Sequence, residues 1–438
     1  MPAILHEREL TVPVDVRSGA ALADLGDGVG RQLVAGEWPV RLAVTSSSGE
    51  AFNCEVSILS EWEGAPPSSI FQFHRRSFEN VGNFTCVLLV PTGIGAEIGG
   101  HAGDATPVAK LLSAACDTLI THPNVVNASD IIDIPGNALY VEGSIISRLL
   151  MGAVGLQRTR SNRVLVLLGH HNDELFLNAA INSVNAARAT YGLAVPGMVR
   201  LGPEFEMASA YVGSGRAAGK VRGLERVLDA LEEYRGQFDA VAISSQINVP
   251  EGFHAEYFDS NGEMVNPWGG VEAMLTHAVS AMLDVPSAHA PMLETQAIAN
   301  ADPGIIDPRM AAEGVSLALI QCILKGLQQS PALTTDAAAM AHPGVIGASN
   351  ISCLVIPEGC LGLPVLAALE QGIKVIAVRE NRNLMRNDLE MLPWQTGQFY
   401  VVENYWEAAG VMSAMRAGID PASVRRPIRP APVVETQG

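Results

Sequence analysis

Residues 84–104 read FTCVLLVPTGIGAEIGGHAGD. The apolar run 86–90 is short and unbroken, as expected of a strand buried on both faces. It passes directly into a turn with five glycines within eleven residues (Gly93, Gly95, Gly99, Gly100 and Gly103), and then into a helix. Glycines this dense at the carboxyl end of a strand let backbone approach a ligand closely, with amides free to grip it. In open α/β sheets, that crevice is where ligands bind. Thr92, Glu97, His101 and Asp104 are the polar side chains in it.

Working outward, strand-like runs at 118–121, 163–168, 240–244, 351–356 and 374–378 each lead into or out of a helical segment. The alternation predicts an α/β fold, with mostly parallel sheet flanked by helices and two Rossmann-like lobes (80–250 and 251–421) facing across a cleft. Residues 1–65 read as a small α+β accessory domain. There 9–16, 40–45 and 51–59 alternate like strands around a helical stretch at 20–35. The turn-rich EWEGAPPSS at 61–69 separates it from the α/β domain of 66–421. The proline-rich tail, 422–438, is expected to be flexible.

The chain has 438 residues, 48% of them hydrophobic and 17% charged, which predicts a densely packed globular protein. A net charge of −18 and only four lysines argue against nucleic acid or an anionic membrane as partner. Six cysteines without a CxxC pair read as free buried thiols. The N-terminus, MPAILHEREL, is charged where a signal peptide is apolar. No apolar stretch approaches the roughly 18 residues of a membrane span. These features predict a cytoplasmic protein with a small-molecule substrate, and the apolar composition favours a homo-oligomer.

Polar residues at strand ends supply the candidates. THPNVVNASD places His122, Asn124 and Asn127 beside the glycine-rich turn, and NPWGGVEAMLTH brings Asn266, Trp268, Gly269, Glu272 and His277 to a helix start. For acid–base catalysis the candidates are His122, Asp173, Glu272 and Asp104, with His277, His289 and Glu294 also bordering turns. His277, five residues beyond Glu272 and poorly placed to share its helix face, has a plainer reading as a satisfied core histidine. Cys360 follows a strand and precedes a helix, where a thiolate is stabilised. Substrate contacts are expected from Thr92, Gly93, Gly95, Gly99, Gly100 and His101. Asn124, Asn127, Asn266, Trp268 and Gly269 extend that rim, as do Arg309 of DPRMAAE and Glu358 of PEGC. His170 and His171 of HHNDE, joined by His101, Asp104 or His122, form a candidate site for a divalent metal. No HxxxH or HExxH spacing backs it, and a helix cap beside a solvent-facing histidine is the plainer alternative. The turn also lacks the lysine and Ser/Thr of a P-loop and the GxGxxG register of a dinucleotide site.

PTGIGAEIGGHAGDATPVAK, THPNVVNASD, NPWGGVEAMLTH and DPGIIDPRMAAEGVS, in this order, resemble a domain family of unknown function found in cyanobacteria, other bacteria and plants. The resemblance spans roughly 84–380 and implies one enzyme-sized domain without naming a reaction. The residues themselves point to a cytoplasmic hydrolase or isomerase acting on a small polar metabolite by histidine and carboxylate chemistry. The alternatives are a nucleotide- or phosphosugar-binding transferase and a non-catalytic metabolite-binding protein.

Overall fold

The computed structural model describes residues 2–17, 19–316, 319–428, 430, 431 and 433. The protein is mixed α/β and is built on two large sheets. One has six strands, parallel throughout, in the order Phe399–Val402, Lys374–Val378, Ile351–Pro357, Thr85–Leu88, Thr118–Thr121, Ala138–Tyr140. Its central strands, TCVL and ISCLVIP, are buried at every residue. An unbroken apolar run is the pattern a parallel strand needs when helices cover it. Here Leu363–Gln371 packs with Gly143–Leu150, and Tyr405–Arg416 with Thr106–Ala114.

The other sheet has nine strands. Val164–Leu168 pairs in parallel with Met198–Arg200 and with Ala240–Asn248, which in turn pairs with Ser287–Met292. Glu206–Tyr211 lies parallel to the end of Ala240–Asn248 and is where the sheet turns antiparallel. From there it continues through Ala217–Arg222, Ile4–Pro13, Ala51–Ser60 and Trp38–Ser47. The three strands expected near the N-terminus are therefore the antiparallel end of this sheet, and the helix expected at 20–35 is Ala21–Gly30. Of the tail, residues 429, 432 and 434–438 lie outside the described residues. Pro421–Val424 forms a 3-10 turn, and Arg425 pairs with Glu407 at 3.0 Å.

Helix Gly269–Leu283 ties the two halves together, touching Trp38–Ser47, Ala217–Arg222, Gly143–Leu150 and Ser287–Met292. Its approach depends on glycine. A Cβ on Gly270 would stand 2.1 Å from the Ala217 carbonyl oxygen, and one on Gly93 would stand 2.8 Å from the same atom. Gly93 also has φ +78°, where a side chain is strained. The glycine-rich turn and this helix start thus grip one residue of the second sheet from two directions. The six cysteines are free and buried. Among the described residues, no helix is long and apolar enough to cross a membrane.

Candidate active site

A cavity of about 200 Å³ opens between the glycine-rich turn, the loop after Thr118–Thr121, helix Gly269–Leu283 and strand Ser287–Met292. Five of the chain's ten histidines line it, together with Glu142, Glu272, Glu294 and Glu313. Among the described residues, six buried side-chain polar atoms have no hydrogen-bond partner. Four belong to residues of this cavity: Asn127 Oδ1, Ser129 Oγ, Glu294 Oε1 and Glu313 Oε2. A buried polar atom without a partner is costly, and a cluster of them calls for a missing group. Three of the four accept hydrogen bonds and the fourth is a hydroxyl, so the group that satisfies them brings N–H or O–H donors.

On one wall, His289 Nδ1–H donates to Glu272 Oε1 at 2.9 Å, and the Ser245 hydroxyl lies 2.9 Å from His289 Nε2. The order resembles a Ser–His–acid triad, but Ser245 is not on the cavity. It is buried beneath Gly169, where an added Cβ would stand 2.4 Å from its own Cβ. Ser245 therefore orients the ring, while Glu272, with 22% of its side chain exposed, faces the cavity.

Across the cavity, Asn266 Nδ2 donates to Glu313 Oε1 at 2.8 Å and to the Tyr257 hydroxyl at 3.3 Å. That hydroxyl also meets His101 Nδ1 at 2.7 Å. Burial pushes the Glu313 carboxyl up to about 7, with the charges of Glu272 and Asp104 acting in the same direction. Trp268 packs on His254 at 5.1 Å between ring centres and closes the aromatic side.

Deeper in, His122 Nε2 accepts the Val90 N–H at 3.1 Å, which puts the ring proton on Nδ1. Burial and neighbouring His277 push His122 down to about 3. It is a neutral hydrogen-bond donor with no free lone pair, so it cannot act as a base in this state. His277 lies 3.1 Å from Glu142 Oε1, whose other oxygen caps helix Gly143–Leu150. Asn124 Nδ2 bridges the Val90 and Gly99 carbonyls at 3.0 and 2.7 Å, tying the loop to the turn.

The remaining sequence candidates divide by place. Thr92, Gly93, Gly100 and Gly269 line the cavity. Gly95 and Gly99 take left-handed backbone and pack against Val265 and Val90. Asp104 accepts both the Gly99 and His101 N–H groups, so the turn closes on its own carboxyl rather than presenting those amides outward. Burial nonetheless pushes Asp104 up to about 6. Arg309 is held by Asp307 and Glu97, and Glu358 faces Arg379.

The HHNDE segment forms a shallow rim of its own. Asp173 caps helix Glu174–Tyr191 through the Leu175 N–H at 2.9 Å, His171 turns inward to the Leu293 carbonyl, and His170 is exposed. Among the described residues, no three His, Cys, Asp or Glu side chains gather as metal ligands, so His170 and His171 do not join His101, Asp104 or His122. Cys360 is buried in a second, smaller cavity, and burial pushes its thiol up, away from thiolate chemistry.

Sequence reasoning passed over Arg41, Ser129, Glu142 and Tyr257, and Glu313 stood there only as the last residue of DPRMAAE. Arg41 and Glu55 each interrupt an otherwise apolar strand, VRLAV and CEVSIL, which is a readable signal of a buried charge.

The protein is similar to an uncharacterized lipoprotein of Synechococcus sp. (strain ATCC 27144 / PCC 6301 / SAUG 1402/1), at 31% identity over 345 residues, covering 78% of this chain and 93% of that protein. A relative called a lipoprotein overturns the cytoplasmic placement drawn from the charged N-terminus, and that placement is withdrawn. No solved structure matches. Residues 85–425 match the model of the family described as "Protein of unknown function (DUF3326)", and with that match over most of its length the chain belongs to this family.

Proposed function

We propose that the protein is an enzyme that moves protons on a small polar metabolite, an isomerase or hydrolase using the carboxyl groups of Glu313 and Glu272. The two parallel stretches of strand act as Rossmann-like lobes whose carboxyl ends supply the opposite walls of the cavity. The observation that carries this reading is the gathering of four unpartnered buried polar atoms on the cavity that also holds both carboxyls. Glu313, poised near 7, is protonated in a useful fraction at neutral pH and serves as the acid. Glu272, backed by His289 and Ser245, serves as the base. A carboxyl raised by burial, facing a second carboxyl on the same cavity, suits paired acid and base roles. His122 Nδ1–H and the acceptor oxygens of Asn127 and Glu294 orient a substrate rich in hydroxyl or amino groups.

The test is incubation of the purified protein in D2O with panels of amino acids, hydroxy acids and polyols, read by NMR. Solvent deuterium entering a carbon position, or a cleaved product, is expected for one class and is lost in Glu313→Gln and Glu272→Gln. A compound that binds without any exchange or conversion would make the protein a metabolite-binding protein instead.

A further inference from the structure

The second cavity, of about 120 Å³, shares His122, His277, Thr92, Gly143 and Ala273 with the first and lies behind them. Its walls are mostly aliphatic, yet three arginines line it: Arg148, which is paired with Asp284 at 2.6 Å, and Arg41 and Arg216. Arg216 is 0% exposed and Arg41 9%. Burying a guanidinium is costly unless a counter-charge meets it. Arg216 has two, with Nε on Glu55 Oε2 at 2.7 Å and Nη2 on Glu7 Oε1, but its Nη1 has no partner.

Arg41 has none. It donates only to the Thr92 carbonyl at 3.0 Å and, at the long distance of 3.5 Å, to the Gly270 carbonyl. The carboxylates nearby are already engaged. Glu7 Oε2 accepts the Ser57 hydroxyl at 2.6 Å, and Glu55 Oε1 accepts the Ser214 N–H at 3.2 Å. Glu142 is taken up by Ser144, Ile145, Thr276 and His277. Burial and the like charge of Arg216 push Arg41 down to about 10, against the smaller opposing pull of Glu7, Glu142 and Glu55.

We propose that this second cavity binds a small oxyanion, a carboxylate or phosphate group, held by Arg41 and by the free Nη1 of Arg216. A water occupies ~30 Å³ of liquid, so the space suits one such group with little to spare. Guanidinium forks match the paired oxygens of either group, and the aliphatic surround strengthens the attraction. The site goes beyond the proton chemistry proposed for the first cavity and does not depend on it.

The test is thermal unfolding at constant ionic strength with increasing sodium acetate or inorganic phosphate. In the unaltered protein a saturating rise of about 3 °C or more is expected for at least one of the two. A response to phosphate alone assigns a phosphate site, and a response to acetate alone assigns a carboxylate site. Arg41→Gln should abolish the rise without lowering the anion-free Tm, because it removes an uncompensated buried charge. Arg41→Lys should keep the rise at about tenfold weaker affinity, and serves if the first variant does not fold. Glu313→Gln should keep the full response, which separates this site from the proposed activity. No saturating rise with either anion, or an equal rise in Arg41→Gln, overturns the proposal.

Discussion

Two regions of this chain carry the same inventory. The rim at His170–Asp173 and the cavity around Glu272 and Glu313 both place imidazoles and carboxyls at the carboxyl ends of parallel strands. Their circumstances differ. At the rim, each polar atom is either paired locally or in water: Asp173 holds a backbone N–H and Gln296, and His171 holds a carbonyl. In the cavity, acceptors are buried with nothing to accept from, and a carboxyl is driven towards neutral pH. Glu294 stands between the two, bordering both, and its unpartnered oxygen belongs with the cavity. Residue type at a strand end is thus a weak guide to chemistry. Burial without satisfaction is the stronger one.

The sharpest way to break this comparison is to neutralise one carboxyl in each region. Glu313→Gln or Glu272→Gln should lower turnover about 10³-fold, the usual scale for losing a general acid or base, while Asp173→Asn leaves it unchanged. Equal losses at both places would erase the distinction. A smaller effect is expected behind the cavity, where Ser245→Ala frees the His289 ring. We expect kcat to fall about tenfold with KM held, together with a shifted pH profile that a purely structural change would not produce.

Much of the scaffold was legible. The unbroken apolar runs at 86–90, 163–168 and 351–356 are strands because nothing but a doubly covered sheet accommodates them. The antiparallel joining of Ile4–Pro13 to Ala217–Arg222 was not legible, since strand partners more than two hundred residues apart leave no local mark. At the site, Glu272, Asn127, Asn266 and Trp268 could be seen because glycine and proline flag the turns beside them. Glu313 was obscured because its importance comes from burial, contributed by Tyr257 and Asn266 from a distant loop. The glycine-rich turn was legible as a place of close backbone approach, and part of that closeness is used inside the protein. Its tightness serves the approach of helix Gly269–Leu283 to Ala217, and its inner amides are answered by Asp104.

The two regions should also answer pH with opposite sign, and this is the finest test of the difference. Glu313, held at about 7 in the folded protein against an ordinary 4.5, keeps a proton that the unfolded chain releases. Its contribution is complete below 4.5 and is lost as pH rises through 7. Relative to Glu313→Gln, the unaltered protein should therefore lose about 3 °C in Tm between pH 5 and pH 8. Asp173 is the reverse case, because the Leu175 N–H and Gln296 hold its carboxyl below the ordinary 3.8. Its stabilising charge is present above 3.8 and is lost as pH falls below it. Asp173→Ala should lower Tm by about 2 °C at pH 7, the scale of a lost helix cap, and the deficit should shrink in acid. It should leave turnover untouched at every pH. If the Asp173→Ala deficit instead grew as pH fell, as that of Glu313→Gln does, the rim would share the cavity's burial and the two regions would be one site.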